Sequence, residues 1–593
     1  MRYDMEPAKA PILTGPALTA FTWVATSTPF AHAIRRFLLL DNGVTKLREL
    51  AAQMGGLPPL YFPMERMNGE RREAHSAAVS AAKDASLTMD DIFKFPPKDH
   101  PLFNADSSDV IALHEAFKAD SPTTPTAVTN KILAAFPALQ DKYRPFSSYP
   151  LHGDMEAAAK ASTERYSRGT PLSVWDGVPV ALKDMVPIRG YEMSDGSASN
   201  VGVGGNRTAD DLLTERFREL GAIILPPTTM TEGGVTPVGY STYVQGSLNP
   251  YDPTHYSGGS SAGSAVAVAL GICPVSIGFD GGGSIRTPAS LSGVYGFATG
   301  LGRFPLSSHT AGTLIKAGPF ARKVADLALA YSVLSRHSPE HNFYGELYDG
   351  ISVPSPLLNE LLIEPGLELE GVTLGVFEEW FSDASEEVVR RNKEVIAELV
   401  KKGAKVKSFK LPNMQHARLS HAMKITSEFA MNWDGPFSEN ANLEPATRVT
   451  VGLGSVSTSL EVLAAEKIRR YFGQHVKKLF EEEGIDAIVT PTTPVSAPKL
   501  PEGLDWETGE SNTALSVELL KFVFIGNFLG LPGVACPIGF DSANDEMPLS
   551  ILFTGQQWEG EGKVMNLAKV VDEIVVKEKG WKTREVPDKL ELL

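Results

Sequence analysis

The sequence has very little cysteine, and this excludes one class of protein. Only Cys273 and Cys536 occur among 593 residues, so the framework of several disulfides that staples small secreted domains cannot form. The twelve histidines are scattered, and the stretch 114–118 lacks the second histidine of a zinc-binding helix. We therefore expect a reducing compartment and no metal site.

Positive charge is also scarce. The chain has 55 Lys and Arg against 71 Asp and Glu, which gives a formal net charge of −16. Nucleic-acid binders gain affinity by neutralising phosphates with basic residues, so this balance argues against a nucleic-acid partner. No glycine-rich stretch ends in Gly-Lys-Ser/Thr, and no dinucleotide fingerprint follows a predicted strand. The sequence thus predicts no cofactor.

Long uninterrupted apolar runs are missing as well. The chain begins with two acids in its first six residues and has no apolar run after a basic start, so a cleaved secretory signal is not expected. Segment 522–540 is uncharged, but its four glycines and two prolines favour a buried helix, loop and strand over a membrane span. We expect an intracellular protein that is cytoplasmic or peripherally membrane-associated.

One segment is a candidate for membrane contact. In segment 30–40, FAHAIRRFLLL, Arg35 and Arg36 flank an apolar cluster, which is compatible with an amphipathic helix at a lipid surface. The alternative is a surface helix that docks on the core.

The composition is that of a large globular protein, with 42% hydrophobic and 21% charged residues. Residues 1–150 are rich in proline and charge, with helical patches near 74–85 and 110–118. From about residue 151, glycine-rich turns separate helices from short apolar strands. We therefore divide the chain into an N-terminal helical region, 1–150, and a second region, 151–593.

The second region repeats a pattern of helix, stop and strand. Predicted helices cover 210–220, 385–402 and 461–483, and a short predicted strand follows each of them: AIIL, AKVKSF and DAIVTP. Gly221 and Gly403 stand where the first two helices end. This alternation favours an α/β layer architecture with a mixed or mainly parallel sheet.

A segment rich in glycine and serine, 257–288, carries the first candidates for chemistry. Ser284 follows three glycines and stands 24 residues after Ser260. Without Cβ atoms, successive glycines can bring several backbone N–H groups to one point, as an oxyanion hole requires, and Ser284 is then the nucleophile. The alternative is a tight surface turn.

The same segment contains a motif that points elsewhere. Residues 259–263 satisfy G-x-S-x-G, the nucleophile elbow of α/β-hydrolases. That elbow needs a strand directly before the serine, whereas a polar loop with two prolines precedes it here. We therefore set the elbow interpretation aside.

A serine nucleophile needs a base, and these motifs contain no histidine. Lys183 stands at the end of an apolar strand over 178–182, where burial lowers the pKa of an amine and frees its neutral form. The alternatives are an ion pair with Asp184 or a charged amine that reaches water. The glycine and serine segments downstream favour a base.

On these residues the sequence resembles the amidase signature family. Lys183 in VPVALKD matches the catalytic lysine, Ser260 in GGSSAG the bridging serine, and Ser284 in DGGGSIR the nucleophile. Further similar stretches include DAIVTPTTPVSAP and NFLGLPGVACPIGF. The first fifty residues, with KAPILTG and DNGVTK, are similar to those of the plant-type fatty acid amide hydrolases.

The resemblance implies a fold, a mechanism and site residues. The fold is a large mixed β-sheet covered on both faces by helices. Neutral Lys183 takes a proton from Ser260, which takes one from Ser284, and Ser284 attacks the amide carbonyl. A backbone carbonyl near Gly234 accepts from the amide nitrogen. The resemblance also supplies the N–H donors of the oxyanion hole: Gly281, Gly282 and Gly283.

The substrate implied is a hydrophobic N-acyl amide, such as an N-acylethanolamine. The alternatives are an amidase or esterase for aryl, small aliphatic or specialised-metabolite amides, and a non-catalytic binding protein on the same fold. Phe279 and the pair 226–227 depart from the family pattern, which favours a shifted substrate preference. Relatives form dimers, so we expect a homodimer in which residues 1–150 cap the core, shape an acyl channel or contact a membrane.

Overall fold

We describe the protein from a computed structural model. The residues described are 3–7, 12–63, 105–118, 122–151, 153–200, 206–304, 312–335, 368–432, 443–578, 581 and 584–593. The helical patch predicted near residues 74–85 lies outside them.

A ten-stranded mixed sheet forms the centre of the fold, in the order β3-β2-β4-β6-β5-β11-β12-β9-β7-β8, and β1 pairs with β10 apart from it. The strands are β1 (Leu13–Thr14), β2 (Pro179–Leu182), β3 (Ile223–Ile224), β4 (Val275–Asp280), β5 (Tyr295–Ala298), β6 (Lys316–Ala321), β7 (Thr373–Val376), β8 (Lys405–Ser408), β9 (Ala487–Pro491), β10 (Glu510–Ser511), β11 (Gly533–Asp541) and β12 (Met547–Gly555).

Strand direction changes across the sheet. The pairs at its two ends, β3-β2-β4 and β9-β7-β8, are parallel, and the pairs from β4 through β6, β5, β11 and β12 to β9 are antiparallel. The expected α/β fold with a large mixed sheet is confirmed. The mainly parallel alternative is wrong, because five of the nine pairings in this sheet are antiparallel.

Helices flank this sheet. The α-helices are α1 (Gly15–Ser27), α2 (Ala31–Asp41), α3 (Val44–Gln53), α4 (Asp109–Lys118), α5 (Pro125–Tyr143), α6 (Asp154–Ser167), α7 (Leu212–Glu219), α8 (Ala262–Ala269), α9 (Arg286–Ser292), α10 (Val324–Leu334), α11 (Glu378–Phe381), α12 (Glu386–Lys401), α13 (Met414–Asn432), α14 (Pro445–Ser455), α15 (Ser459–Glu481), α16 (Thr513–Leu519), α17 (Phe524–Phe528) and α18 (Gly560–Asp572). Short 3₁₀ turns cover Ala198–Asn200 and Glu232–Gly234, and a π-helical turn covers Glu573–Glu578.

The predicted units of helix and strand form for local reasons. Helix α7 begins at Leu212, and the side chain of the preceding Asp211 caps it by accepting a hydrogen bond from the Leu213 N–H. The chain turns away at Gly221, which has a φ of 88°, and continues into β3. The pairs α12 with β8 and α15 with β9 also form where the pattern predicts them. Segment 522–540 is a buried helix, loop and strand, as expected.

The N-terminal helices pack on the rest of the chain: α1 packs against α14, and α3 packs against α15. Helix α2 leaves the side chain of Phe37 65% exposed, and Phe30 just before it is 71% exposed. Arg35 is buried, however, and Arg36 forms an ion pair with Glu461. Of these two arginines, only Arg36 is therefore partly exposed beside the apolar side chains. Within the described residues, no helix is long and apolar enough to cross a bilayer.

Candidate active site

Lys183 directly follows β2, one of the parallel strands at the end of the sheet. Its backbone N–H donates to the Ile277 carbonyl on β4 (3.0 Å), so the chain stays anchored to the sheet past the end of β2. Its side chain is among the largest fully buried ones, and the residue is only 1% exposed. The sheet thus fixes the amine inside the fold rather than at the surface.

The environment of Lys183 favours the neutral amine. Its Nζ donates to Ser260 Oγ at 2.6 Å. Burial lowers the pKa of this amine to about 7, although the carboxylates of Asp195 and Asp280 oppose the shift. Asp184 forms no ion pair with it, because the Asp184 carboxylate accepts hydrogen bonds from the N–H and hydroxyl groups of Ser194. Both alternatives for Lys183, the Asp184 pair and the solvated amine, are therefore wrong.

Ser260 lies just before helix α8, in contact with the Lys183 amine. It is 1% exposed, and the peptide bond that precedes it is cis. Gly234 lies beside it, since a Cβ added to Gly234 would stand 3.3 Å from Ser260 Oγ. The structure thus brings together Lys183, Ser260 and Gly234.

The neighbouring Ser261 connects the segment around Ser260 to the segment around Ser284. Its N–H donates to the Ser284 carbonyl (3.3 Å), and its hydroxyl donates to the Phe279 carbonyl (3.1 Å) on β4. The backbone of Ser284 is therefore hydrogen-bonded to the residue that directly follows Ser260. No strand precedes Ser260, since the described loop 242–261 forms only isolated bridges, between Leu248 and Tyr256 and between His255 and Lys499. The strand that a nucleophile elbow needs is absent there.

Ser284 ends a loop that we call the glycine loop, residues 281–284, between β4 and α9. Ser284 is 9% exposed, more than Lys183 and Ser260. Gly283 has a φ of 144°, and a Cβ there would stand 2.5 Å from Val523 Cγ2. Only glycine fits at that position. The surface-turn alternative is wrong, because Gly282, Gly283 and Ser284 are buried.

The carbonyl groups along this loop have defined hydrogen-bond partners. In a trans peptide the C=O and the N–H point in opposite directions, so anchored carbonyls leave the N–H groups directed the other way. The donors and acceptors are Asn527 Nδ2 to Asp280 O (2.6 Å), His421 Nε2 to Gly281 O (3.1 Å) and Thr287 N to Gly283 O (2.7 Å).

A buried ion pair supports both ends of the loop. Asp280 and Arg286 are both fully buried, with Nη2 and Oδ1 2.9 Å apart. Burial by itself raises the pKa of Asp280, but the Arg286 guanidinium holds it well below its usual range. Arg286 Nη1 also donates to the Val523 carbonyl at 2.7 Å. The pair therefore lies inside the fold rather than at its surface.

Aliphatic side chains surround the glycine loop. A Cβ added to Gly281 would meet Ile425 at 3.4 Å and Ile315 at 3.5 Å, and Leu520 stands 3.0 Å from the equivalent point on Gly283. The described residues contain no group of three or more His, Cys, Asp or Glu side chains that could hold a metal ion. The site therefore combines a buried amine, two hydroxyls and oriented backbone amides in an apolar setting.

Sequence reasoning missed the side chains that contact the glycine loop and the residue before it from distant parts of the sequence. His421 lies on α13, 140 residues from the carbonyl it contacts, and no motif surrounds it. Asn527 stands 247 residues from its acceptor, Asp280. Asn527 is the first residue of NFLGLPGVACPIGF, one of the stretches similar to the family. That similarity marked the residue as a candidate, but it did not predict the contact with Asp280.

Comparison with known proteins agrees with this architecture. The chain matches the amidase family over residues 127–562. A fatty acid amide hydrolase of Oryza sativa subsp. indica is 29% identical, and the match covers 98% of this chain and 95% of the relative. A fatty acid amide hydrolase of Arabidopsis thaliana is 28% identical, with 97% of this chain and 94% of the relative covered.

The fold is also similar to that of solved amidase structures. A crystal structure of an amidase superposes with a TM-score of 0.64 at 25% identity, and the match covers 79% of this chain and 99% of that one. Together with the ten-stranded mixed sheet, this similarity confirms the predicted fold class. Because the family match spans more than half of its length, the chain belongs to the amidase signature family and is a hydrolase of amide C–N bonds.

Proposed function

We propose that this enzyme hydrolyses hydrophobic N-acyl amides, such as N-acylethanolamines, with Ser284 as nucleophile, Ser260 as proton relay and Lys183 as base. The observation that carries the proposal is the 2.6 Å contact between Lys183 Nζ and Ser260 Oγ in a fully buried environment. Because burial lowers the pKa of Lys183 to about 7, its amine can accept a proton near neutral pH.

The proposed reaction accounts for every proton transferred and for every bond formed or broken. Lys183 takes the Ser260 proton, Ser260 takes the Ser284 proton, and Ser284 Oγ bonds to the amide carbon. Backbone N–H groups of the glycine loop stabilise the oxyanion. When the C–N bond breaks, Ser260 passes its proton to the departing amine and regains one from Lys183. Water then attacks the acyl-enzyme ester by the same relay, which releases the acid and restores Ser284.

Gly234 is proposed to orient the leaving group. Its backbone lies next to the Ser260 hydroxyl, which in this mechanism protonates the amine. A carbonyl that accepts the amide N–H there keeps the nitrogen lone pair directed toward Ser260. This role depends on main-chain atoms, so we expect side-chain substitutions at Gly234 to act mainly through crowding of Ser260.

Two observations support a hydrophobic acyl group. The plant relatives named above align with nearly the whole chain, including its N-terminal helices. The glycine loop is also flanked by Ile315, Ile425 and Leu520, which offer an apolar surface to a hydrocarbon chain. Aryl, small aliphatic and ester substrates are the competing classes, and the experiment below separates them.

Mass spectrometry of trapped intermediates tests nucleophile and substrate class together. The enzyme is mixed with amides of different acyl chains, quenched in acid and digested, and the peptide that carries Ser284 is examined for acyl adducts. We expect long-chain acyl groups on Ser284 and none in the Ser284→Ala variant. Adducts on another residue would refute the nucleophile, and equal trapping of short, aryl and long acyl groups would refute the lipid assignment.

The roles of the N-terminal region are part of the same proposal. We propose that residues 1–150 form a cap over the catalytic region 151–593, that the enzyme is a homodimer, and that exposed Phe30 and Phe37 contact lipid peripherally. Light scattering after gel filtration tests the dimer. Flotation with phosphatidylcholine vesicles tests the lipid contact, and unchanged flotation of a Phe30→Ser, Phe37→Ser variant would contradict it.

A further inference from the structure

A histidine from helix α13 contacts the backbone of the glycine loop directly. His421 is buried, and its Nε2 lies 3.1 Å from the Gly281 carbonyl oxygen. A Cβ on Gly282 would stand only 3.1 Å from His421 Cε1, so the imidazole packs on the loop where glycine leaves room for it. The rings of Phe524 and Phe528 lie beside the imidazole and confine it.

The protonation state of this histidine follows from its surroundings. Burial lowers the pKa of His421 to about 4, although the hydrogen bond with Gly281 opposes the shift, and the guanidinium groups of Arg469 and Arg286 lower it further. The imidazole is therefore neutral near pH 7 and carries one N–H. Since a carbonyl can only accept, that proton is on Nε2 and is donated to Gly281.

This hydrogen bond fixes one particular peptide plane. The Gly281 carbonyl and the Gly282 N–H belong to the same trans peptide, so they point in opposite directions. Glycines on both sides of the peptide leave little steric resistance to its rotation. With the carbonyl held by His421, the Gly282 N–H is directed away from α13. If the peptide turned over, a carbonyl oxygen would replace an N–H on the side where the reaction places the oxyanion.

We propose that His421 is a positioning residue that aims the Gly282 N–H at the oxyanion formed on Ser284. The inference rests on the proposed function, because it assumes Ser284 as the nucleophile. A single oxyanion donor typically contributes about 10²–10³-fold to kcat. Loss of its orientation is expected to lower kcat and the rate of covalent reaction at Ser284 at least tenfold, and to leave KM within about twofold.

A matched pair of variants separates hydrogen bonding from packing. His421→Gln keeps an N–H at the position of Nε2, whereas His421→Met has similar length and no donor. His416 is a control on the same helix, since the charged groups around it are Asp4, Lys46 and Glu49 of the N-terminal region. For each variant we measure the rate of labelling of Ser284 by an alkyl fluorophosphonate, kcat and KM for N-lauroylethanolamine, and the melting temperature.

The expected result is a tenfold or greater loss of labelling rate and kcat in His421→Met, recovery to within threefold of the parent in His421→Gln, and no change in His416→Met. Equal activity of His421→Met and the parent overturns the inference. Equal impairment of the Met and Gln variants also overturns it, because it indicates packing alone, and a change confined to KM indicates substrate contact instead.

The proposed function fails in a distinguishable way. If the parent enzyme is not labelled at Ser284, the nucleophile is wrong and the inference falls with it. If the parent is labelled and His421→Met reacts equally fast, only the inference fails. Should His421→Met not fold, the Gln variant decides: a labelling rate more than tenfold below the parent in a folded His421→Gln refutes a role carried by the N–H.

Discussion

Lys183 gives the most quantitative prediction. If its neutral amine is the base, the reaction rate of Ser284 follows the fraction of Lys183 that is unprotonated. Burial lowers the pKa of this amine from 10.5 to about 7. The neutral fraction is then about 0.9 at pH 8, about 0.5 at pH 7 and about 0.1 at pH 6, whereas an ordinary lysine is neutral in roughly one molecule in 3,000 at pH 7.

The assay is the rate constant for fluorophosphonate labelling of Ser284, measured from pH 5 to pH 9. We expect the rate to fall about fivefold from pH 7 to pH 6, tenfold more to pH 5, and to level off above pH 8. A rate that is flat between pH 6 and pH 8 would refute the assignment, and so would a rate that keeps rising tenfold per pH unit up to pH 9.

A second group near Lys183 titrates in the same range, and one variant resolves the ambiguity. Burial raises the pKa of Asp184 to about 7, although hydrogen bonds from Ser194 oppose the shift. Asp184→Asn removes that titration and keeps an oxygen that accepts from Ser194. We expect the midpoint of the rate profile to stay near pH 7 in this variant. If the midpoint disappears with the carboxylate, Asp184 and not Lys183 controls the reaction.

The stability of a Lys183→Met variant provides the control for folding. The folded pKa of Lys183 lies below its unfolded value, so folding favours the neutral amine. The contribution of Lys183 to stability is therefore greatest above about pH 10.5 and decreases as pH falls toward about 7. The decrease reaches on the order of 5 kcal/mol. At pH 7, Lys183→Met is expected to lose labelling and to melt no lower than the parent. Loss of both would indicate a structural lysine.

The remaining predictions concern the support of the glycine loop. Gly283→Ala places a Cβ 2.5 Å from Val523 Cγ2 at a φ of 144°, so we expect the rate of Ser284 labelling to fall at least 100-fold. Gly281→Ala meets only ordinary contacts and should stay folded. Equal behaviour of the two variants would contradict this prediction. Arg286→Met leaves the Asp280 carboxylate buried without its guanidinium, and urea unfolding should show a loss of about 3–5 kcal/mol, with a loss below about 1 kcal/mol as the contrary result.

The local elements were predictable because their determinants are local. Helix α12 and strand β8 follow from an amphipathic repeat, a glycine at position 403 with a φ of 104°, and the short segment AKVKSF after it, whose first four residues alternate between apolar and polar. The candidates for chemistry were equally accessible. Lys183 and Ser284 stand in short stretches whose composition made them candidates without any knowledge of contacts, and Ser260 became a candidate through the resemblance to the amidase signature family.

The order and direction of strands in the sheet were not predictable in the same way. Strand β5 lies between β6 and β11, and β11 comes more than 200 residues later in the chain. Such pairing depends on which apolar faces meet in the folded core, and the pattern of one segment carries no record of its partner. For the same reason the contact of His421 with Gly281, across 140 residues, emerges only from the fold.

The different burial of the three proposed catalytic residues gives a physical reason for a relay of two serines. A lysine is neutral near pH 7 only when water is excluded from it, and Lys183 is 1% exposed. A nucleophile, in contrast, must meet the substrate, and Ser284 is the most exposed of the three at 9%. One side chain cannot satisfy both conditions at once. Ser260, in contact with the amine and itself 1% exposed, can transfer the proton between the two environments without hydrating the lysine. The intermediate serine therefore allows a strongly desolvated base to act on a nucleophile that substrate can reach.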